Sequence, residues 1–144
     1  IGGGGMVSTA GDYMRFCEML RRGGELDGVR LLSPAMLDFC TRNHTGSLRN
    51  VLFDMWLGVR NWIEYPASIG CGFFMRGEGN LPGLFSPMNS ARTFGGFGAG
   101  STGFTVDPAR DLSFAFLSSG LMEDSYHFER IGRLQGMVLA AIVD

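Results

Sequence analysis

The residues best suited to chemistry in this sequence lie in a glycine-rich stretch, residues 92–103, which reads RTFGGFGAGSTG. Gly98 to Gly103 fits the G-x-G-x-x-G pattern of dinucleotide folds, but that loop opens a helix. Here Phe104 to Pro108 follows, which is typical of a strand ending in a turn. A kinase phosphate loop requires a lysine on the next strand, and the 12 lysine-or-arginine positions are all arginine. Neither nucleotide-binding loop is therefore favoured.

Ser101 has surroundings that partly match a nucleophilic serine. Ala99 to Gly103 is an imperfect copy of the G-x-S-x-G elbow, and Asp107 or Asp124 followed by His127 gives the chain order of a catalytic triad. The elbow also needs a strand that runs into a helix, which the following residues do not predict. Ser101 is better interpreted as a small strand residue beside a close backbone approach.

The elements around this stretch predict an antiparallel hairpin. From Ser101 to Val106 and from Leu112 to Leu117, apolar and polar residues roughly alternate, and Asp107 to Asp111 separates the two runs. Four glycines precede the hairpin with only Phe97 and Ala99 between them: Gly95, Gly96, Gly98 and Gly100. Because glycine destabilises a strand, this spacing indicates that something approaches the backbone closely.

The first element is predicted as a helix from about Thr9 to Arg22. Ser8 or Thr9 supplies an N-cap oxygen, and Gly23 ends the helix. Its apolar side chains recur at helical spacing and are expected to pack in the core: Tyr13, Phe16, Cys17 and Leu20.

A hairpin and a second helix come next. Leu26 to Val29 reads LDGV, and Asp-Gly readily adopts the positive φ angles of a type I′ turn. Ser33-Pro34 predicts the start of a helix that ends near Asn43. We expect His44, at its exit, to face solvent or bond a carbonyl.

Residues 47–66 are apolar without a clean period. Trp56, Trp62 and Tyr65 are candidate walls of a pocket, and ordinary packing of an irregular segment is the alternative. Further along, residues 69–76 predict a strand and residues 77–89 a loop. The last element is a helix that starts near Asp124 or Ser125. Its covering face is predicted to carry Ile131, Leu134, Val138, Ala141 and Ile142.

Composition predicts one globular unit with a real core. The chain has 144 residues, is 45% hydrophobic and carries a formal net charge of −2. No apolar run is long enough for a membrane span, no signal peptide opens the sequence, and the arginines are scattered, which argues against nucleic-acid binding. Because Ile1 is followed directly by a glycine run, we expect an internal piece of a longer protein.

The three cysteines are widely spaced and odd in number: Cys17, Cys40 and Cys71. We interpret them as reduced, buried small hydrophobes. Cys40 and His44 could form one ligand pair, but no second pair completes a metal site, and no cofactor is expected. Reduced cysteines slightly favour a cytoplasmic location and leave a periplasmic one open.

Residues 93–100, the turn at 106–112 and the strand at 114–117 together resemble the C-terminal part of the serine beta-lactamase-like superfamily. That superfamily takes in class C beta-lactamases, penicillin-binding-protein-like carboxylesterases and D-aminopeptidases. Residues 2–34 resemble its segment upstream of the active-site strand. Residues 69–76 resemble the neighbouring strand, whose motif is glycine, any residue, glycine and an aromatic. The resemblance covers most of the chain except residues 47–66.

The resemblance implies an α+β fold within a single unit, residues 1–144. Residues 1–46 would form a helical segment. Residues 67–144 would form an antiparallel sheet of about three to four strands, covered by a C-terminal helix. This arrangement would be part of a transpeptidase-like domain whose remaining strands and helices come from elsewhere.

The family's chemistry uses a serine nucleophile with a lysine one helical turn away, a tyrosine that relays the proton, and backbone amides that hold the oxyanion. Without lysine, Ser-x-x-Lys is absent from these residues. Tyr13, Tyr65 and Tyr126 also lack Asn or Ser two positions later. The resemblance therefore implies that this chain supplies the active-site strand, and that it is inactive alone.

On that strand, the family motif of lysine, histidine or tryptophan, any residue and glycine falls on Gly96, Phe97 and Gly98. The N–H of Ala99 would serve the oxyanion hole, and Gly98 would leave room for the substrate carbonyl. Gly96 departs from the motif, which weakens a beta-lactam or carboxylate substrate and favours an ester or amide. In an alternative frame Arg92 and Thr93 replace the family's lysine and threonine, and Arg92 binds a substrate carboxylate.

Two function classes remain open. In the first, the chain is the C-terminal part of a serine hydrolase that acts on a small-molecule ester, amide or beta-lactam together with the remainder of the same domain. In the second, it is a non-catalytic binding or scaffold module, and glycine at position 96 indicates that the active-site motif has been lost. The close glycine spacing favours the enzyme, because such spacing is costly unless a ligand approaches.

Overall fold

The computed structural model describes residues 4–51, 53–64 and 66–142. A two-stranded hairpin precedes a four-stranded antiparallel sheet of order β3-β4-β5-β6. The strands are β1 Glu25–Leu26, β2 Val29–Arg30, β3 Phe74–Met75, β4 Phe94–Gly98, β5 Thr102–Asp107 and β6 Leu112–Phe116, and the helices are α1 Ala10–Arg21, α2 Pro34–Cys40, α3 Asp54–Arg60 and α4 Asp124–Ala141. The predicted α+β class, with its antiparallel sheet, C-terminal helix and N-terminal helices, is confirmed.

Local capping signals explain where the first helices begin. The Thr9 side chain accepts a hydrogen bond from Asp12 N at 3.1 Å, and the Ser33 side chain accepts one from Met36 N at 3.1 Å. The two helices therefore start where the sequence predicts. Helix α2 ends at Cys40 rather than near Asn43, because the Asn43 side chain instead accepts from Thr45 N and Gly46 N in a tight turn.

The β1–β2 turn has the predicted conformation. Asp27 and Gly28 both have positive φ, 52° and 78°, as a type I′ turn requires. Strand β3, by contrast, is shorter than the predicted run 69–76. Gly72 has φ +83° and Gly70 N donates to Phe73 O at 2.8 Å, so this part of the segment forms a turn instead of pairing.

The sheet is packed on both faces. On one face, residues from α1, α2 and the sheet form a core of Cys17, Met19, Leu20, Leu37, Phe94, Phe104 and Val106. On the other, α3, α4 and the loop before β4 contribute a second core of Phe53, Trp56, Leu84, Phe128 and Ile131. The sheet is therefore the central layer between helices, and its backbone is reached mainly along its edges.

Helix α4 covers the sheet with a different face from the one predicted. Ile131 is buried as expected, but Val138 and Ile142 are exposed at 37% and 45%. The buried face instead carries His127, Phe128, Ile131, Gly132, Gln135 and Leu139, together with Ser125. The prediction counted aliphatic residues only, whereas polar side chains and a glycine occupy much of the face that meets the sheet.

Trp56 packs in the core instead of lining a pocket. Its ring lies 5.2 Å from that of Phe128 and 5.1 Å from that of Phe53. Trp62 lines an open groove of about 810 Å³ between α3, the loop before β4 and α4. Tyr65, the third candidate wall, lies outside the described residues.

The cysteines differ in exposure. Cys17 is fully buried, Cys40 is half-buried and Cys71 is exposed, so the expectation that all three are buried is wrong for Cys71, which sits in the turn before β3. His44 Nε2 bonds the Phe39 carbonyl at 2.8 Å, and the residue is exposed. Within residues 4–51, 53–64 and 66–142, no group of three or more potential ligand side chains could hold a metal ion, and no helix could span a membrane.

Candidate active site

One edge of β4 has no strand partner over the second half of the strand among the described residues. Strand β3 pairs only with Phe94 and Gly95, whereas β5 pairs with the whole of β4 on the other side. Arg76 N donates to Thr93 O at 2.9 Å, so the backbone of Thr93 faces the β3 edge. Because alternate residues of a strand point to the same edge, the N–H and C=O of Phe97 face the open part.

Ala99 lies at the end of this edge, in the β4–β5 turn. Ser101 N donates to Gly98 O at 3.0 Å and closes a turn with Ala99 and Gly100 at its centre. Ala99 is exposed, and within the described parts of the chain its N–H makes no hydrogen bond. An exposed amide without a partner is a donor that a ligand can use.

Gly96 is backed by an aromatic ring from the next strand. A Cβ added at Gly96 would lie 2.9 Å from Cε1 of Phe104, the residue paired with it across the sheet. Phe97 points to the opposite face, where its ring lies 4.4 Å from that of Phe128. The two residues therefore present backbone, and no polar side chain, to the strand edge.

Gly98 lies beside the side chain of its own strand partner. A Cβ at Gly98 would lie 2.9 Å from Oγ1 of Thr102. That oxygen ends a short side chain, so a rotation of Thr102 could make room for a methyl group. The contact with Thr102 therefore does not by itself require glycine at position 98.

Arg92 lies at the opposite end of β4 from Ala99. It is exposed, and no ion pair to it occurs among the described residues. Because an extended chain rises about 3.3 Å per residue, Arg92 and Ala99 are separated by roughly 20 Å. Arg92 and Ala99 therefore cannot contact the same atom of a small substrate. A site that uses the Arg92 side chain and a site that uses the Ala99 N–H are alternatives.

Ser101 does not have the geometry of an elbow nucleophile. Its side chain is buried, at 2% exposure, and its Oγ accepts from Met122 N at 2.7 Å. His127 Nε2 lies 2.9 Å from Thr102 O instead of contacting Ser101 Oγ. The other ring nitrogen, Nδ1, lies 3.2 Å from Arg130 Nη2, where a triad requires a carboxylate.

Asp107 anchors the segment that leads into β4. It is 1% exposed, and its carboxylate accepts from Ser90 N at 2.8 Å and from Ser90 Oγ at 2.6 Å. Burial alone raises the pKa of this carboxyl, but the hydrogen bonds from Ser90 and neighbouring polar groups outweigh burial and hold the pKa below its usual value. Asp107 is therefore a structural carboxylate and is not available to His127.

Sequence reasoning missed the contact of Arg130 and Ser118 with the β4–β5 turn. Ser118 Oγ donates to Ser101 O at 2.8 Å, and Arg130 Nη2 donates to the same oxygen at 3.4 Å. The only sequence signal was that His127 and Arg130 are three apart on a predicted helix and so share a face. Nothing in the local pattern indicated that this face meets the turn.

Comparisons with known proteins agree with this fold. No family model matches the chain. Two curated proteins of Mycobacterium tuberculosis are each 35% identical over 124 residues: Protein Rv1367c of strain H37Rv and Uncharacterized protein MT1414 of strain CDC 1551. These alignments cover 80% of this chain and 28% of each relative, so the chain spans little more than a quarter of the curated relatives it matches.

Two solved structures share the fold. A beta-lactamase from Mycobacterium bovis superposes with a TM-score of 0.73 at 27% identity, over 92% of this chain and 44% of that one. A penicillin-binding protein homolog from Caulobacter crescentus gives a TM-score of 0.54 at 25% identity, over 83% of this chain and 30% of that one. Together with the motif resemblance of residues 93–117, these similarities show that the chain belongs to the beta-lactamase and penicillin-binding-protein-like superfamily.

Proposed function

We propose that this chain is the C-terminal part of a beta-lactamase-related serine hydrolase that cleaves an ester or amide bond through an acyl-enzyme. Its contribution is the active-site strand β4 and the oxyanion-hole amide of Ala99. The observation that carries the proposal is the exposed Ala99 N–H, without a partner among the described residues, at the end of an open strand edge.

The open edge explains how an acyl group would bind. A carbonyl substrate that lies along β4 can bond the backbone of Phe97 as an added strand would, while its oxygen points to the Ala99 N–H. Developing negative charge on that oxygen strengthens the bond in the transition state. A second N–H, from the nucleophilic serine itself, would complete the hole in the way the family resemblance implies.

The nucleophile, the lysine and the tyrosine would come from residues outside these 144. Ser101 is a poor substitute, since its Oγ is buried and already accepts a hydrogen bond from Met122 N. The outer edge of β6 has no strand neighbour among the described residues, and Met137 and Val138 on α4 are exposed. These surfaces suit packing against the remainder of the same hydrolase domain.

The surroundings of β4 support an ester or amide as the proposed substrate class. Gly96 offers no side chain, and Phe104 and Phe97 are the nearest large groups on either face. An apolar ester or amide is therefore the proposed substrate, in preference to a beta-lactam whose carboxylate needs a cation near the strand. Arg92 is too far along β4 to supply that cation for a carbonyl held at Ala99.

Covalent labelling tests the proposal. In the full-length protein, a fluorophosphonate should phosphonylate a serine outside these residues with loss of fluoride, and that serine should be followed three positions later by lysine. A Tyr-x-Asn or Tyr-x-Ser sequence should follow further along. The 144-residue chain alone should remain unlabelled and should hydrolyse nitrophenyl esters no faster than buffer. Labelling of Ser101 in either protein would contradict the proposed source of the nucleophile.

The alternative of a non-catalytic binding or scaffold module is tested by the same sequence and label. It predicts that Ser-x-x-Lys and the tyrosine motif are both absent and that the fluorophosphonate labels no serine. The observation that first suggested it, the bare Gly96, has a packing cause in Phe104. Gly96 is therefore no longer an argument that the active-site motif has been lost.

A further inference from the structure

The turn that carries Ala99 contains a backbone conformation that its sequence does not favour. Ser101 has φ +60°, in the left-handed region where glycine is the usual residue. Three residues, Ala99, Gly100 and Ser101, connect Gly98 to its strand partner Thr102. In such hairpins glycine normally takes the left-handed position. Surrounding contacts must therefore hold Ser101 in place.

Those contacts come from α4 and from the segment that precedes it. The Ser101 carbonyl accepts from Ser118 Oγ at 2.8 Å, and Ser101 Oγ accepts from Met122 N at 2.7 Å. The next carbonyl, that of Thr102, accepts from His127 Nε2 at 2.9 Å. Both Ser101 and His127 are buried, so these bonds are shielded from competing water.

The hydrogen-bond partners of His127 fix its tautomer. A carbonyl only accepts, so the proton must be on Nε2, and a guanidinium only donates, so Nδ1 must accept from Arg130 at 3.2 Å. Arg130 Nη2 also reaches Ser118 Oγ at 3.3 Å, and its guanidinium lies 4.7 Å from the centre of the Phe116 ring. Arg130 thus orients the imidazole that holds the turn.

We propose that His127, oriented by Arg130, is a positioning residue for the oxyanion-hole amide. The inference deepens the proposed function and rests on it for its catalytic consequence. His127 and Ser118 hold the strained Ser101–Thr102 backbone, and that backbone sets the direction in which the Ala99 N–H points. A small rotation of this donor weakens its bond to the developing oxyanion, because such donors act through preorganised geometry.

The test compares three substitutions in the full-length protein. His127→Leu removes the N–H that bonds Thr102 O, and His127→Gln keeps an amide donor and an acceptor for Arg130. Gln135→Leu is the matched control: it is equally buried on α4, and its Nε2 bonds Leu84 O at 2.9 Å, away from the turn. Amide hydrogen exchange of Ser101, whose N–H bonds Gly98 O at 3.0 Å, reports the turn without requiring activity, and kcat and KM for a nitrophenyl ester report catalysis.

We expect His127→Leu to raise exchange of the Ser101 amide about tenfold and to lower kcat about tenfold with little change in KM. His127→Gln should return both the exchange rate and kcat most of the way to their wild-type values. Gln135→Leu should change neither quantity. Ser118→Ala should give the same pattern more weakly, and it replaces His127→Leu if that protein does not fold. Unchanged exchange of the Ser101 amide in the His127 or Ser118 variant, or an equal change in Gln135→Leu, would overturn the positioning role.

The two readouts separate this inference from the proposed function. If the wild-type protein is never acylated, the hydrolase proposal fails, and the exchange rates still decide whether His127 holds the turn. If the turn loosens in His127→Leu while kcat stays at the wild-type value, His127 holds the turn but does not position the Ala99 N–H for catalysis. That result would reject the inference and leave the hydrolase standing.

Discussion

The ring of Phe104 fills the space that a side chain at Gly96 would occupy. The two residues are partners across β4 and β5, and a Cβ on Gly96 would meet Phe104 Cε1 at 2.9 Å. The ring is 7% exposed and lies edge-on to Tyr13 at 5.5 Å between ring centres. It is held by α1 and has little freedom to withdraw, so this pairing explains why β4 lacks a side chain here.

Gly96→Ala should therefore destabilise the fold by about 1 to 3 kcal/mol through overpacking against Phe104. Gly100→Ala is the matched control, because nothing lies within 4 Å of the added Cβ and its φ is not positive. Urea unfolding of both variants measures the difference. In the double variant with Phe104→Leu, the added cost of Gly96→Ala should largely disappear. A cost that persists undiminished would show that the ring is not its cause.

Asp107→Asn should lower the free energy of unfolding by about 1 to 3 kcal/mol at pH 7, since its NH2 group replaces one of the two oxygens that accept from Ser90 N and Arg110 N. The hydrogen bonds hold the folded-state pKa of Asp107 below its usual value. The carboxylate therefore stabilises the fold above the unfolded-state pKa, and this contribution is lost as pH falls through the folded-state pKa.

Unfolding measured at pH 7 and near pH 3 tests this account of Asp107. The gap between wild type and Asp107→Asn should narrow as the pH falls below about 4. Asp111→Asn is the control on the same turn. Its side chain is 84% exposed, so its ion pair with Arg21 is screened by solvent, and its φ of 51° suits asparagine. Equal pH dependence in wild type and Asp107→Asn would contradict a buried, ionised Asp107.

Thiol labelling distinguishes the buried Cys17 on α1 from the exposed Cys71. Burial, with a smaller contribution from Glu18, raises the pKa of the Cys17 thiol to about 11, and the side chain is fully buried. Cys71 is exposed. At pH 8 an aromatic disulfide reagent should therefore label Cys71 rapidly, and should label Cys17 only at the rate of unfolding. Rapid labelling of Cys17 in the native protein would mean that α1 is not packed on the sheet.

Sequence reasoning predicted the elements that carry local signals. The N-caps Thr9 and Ser33 and the Asp27-Gly28 turn depend on a few neighbouring residues, and each appears where predicted. Helix α3 was missed because residues 47–66 show no helical period. The predicted covering face of α4 was wrong. Gln135 and Gly132 meet the interior, whereas the aliphatic residues Val138 and Ile142 are exposed.

The candidate site was only partly predictable from the sequence, because several of its contacts join residues that are far apart in the chain. The glycine spacing and the family resemblance led to β4 and to Ala99. The packing cause of Gly96, however, depends on its cross-strand partner Phe104. The contacts that hold Ser101 come from residues up to 29 positions away, as with Arg130. Such contacts exist only once the tertiary fold is formed, and no local pattern encodes them.

The central claim is that the Ala99 N–H stabilises the oxyanion, and Ala99→Pro tests it most directly. Proline suits the second position of the turn closed by Ser101 N and Gly98 O, and the N–H it removes has no partner among the described residues. The fold should therefore survive, with Ala99→Ser as a control that keeps the N–H. The account predicts that acylation of the full-length protein by a nitrophenyl ester slows about 100- to 1,000-fold in Ala99→Pro only. A folded Ala99→Pro protein that is acylated at the wild-type rate would contradict it.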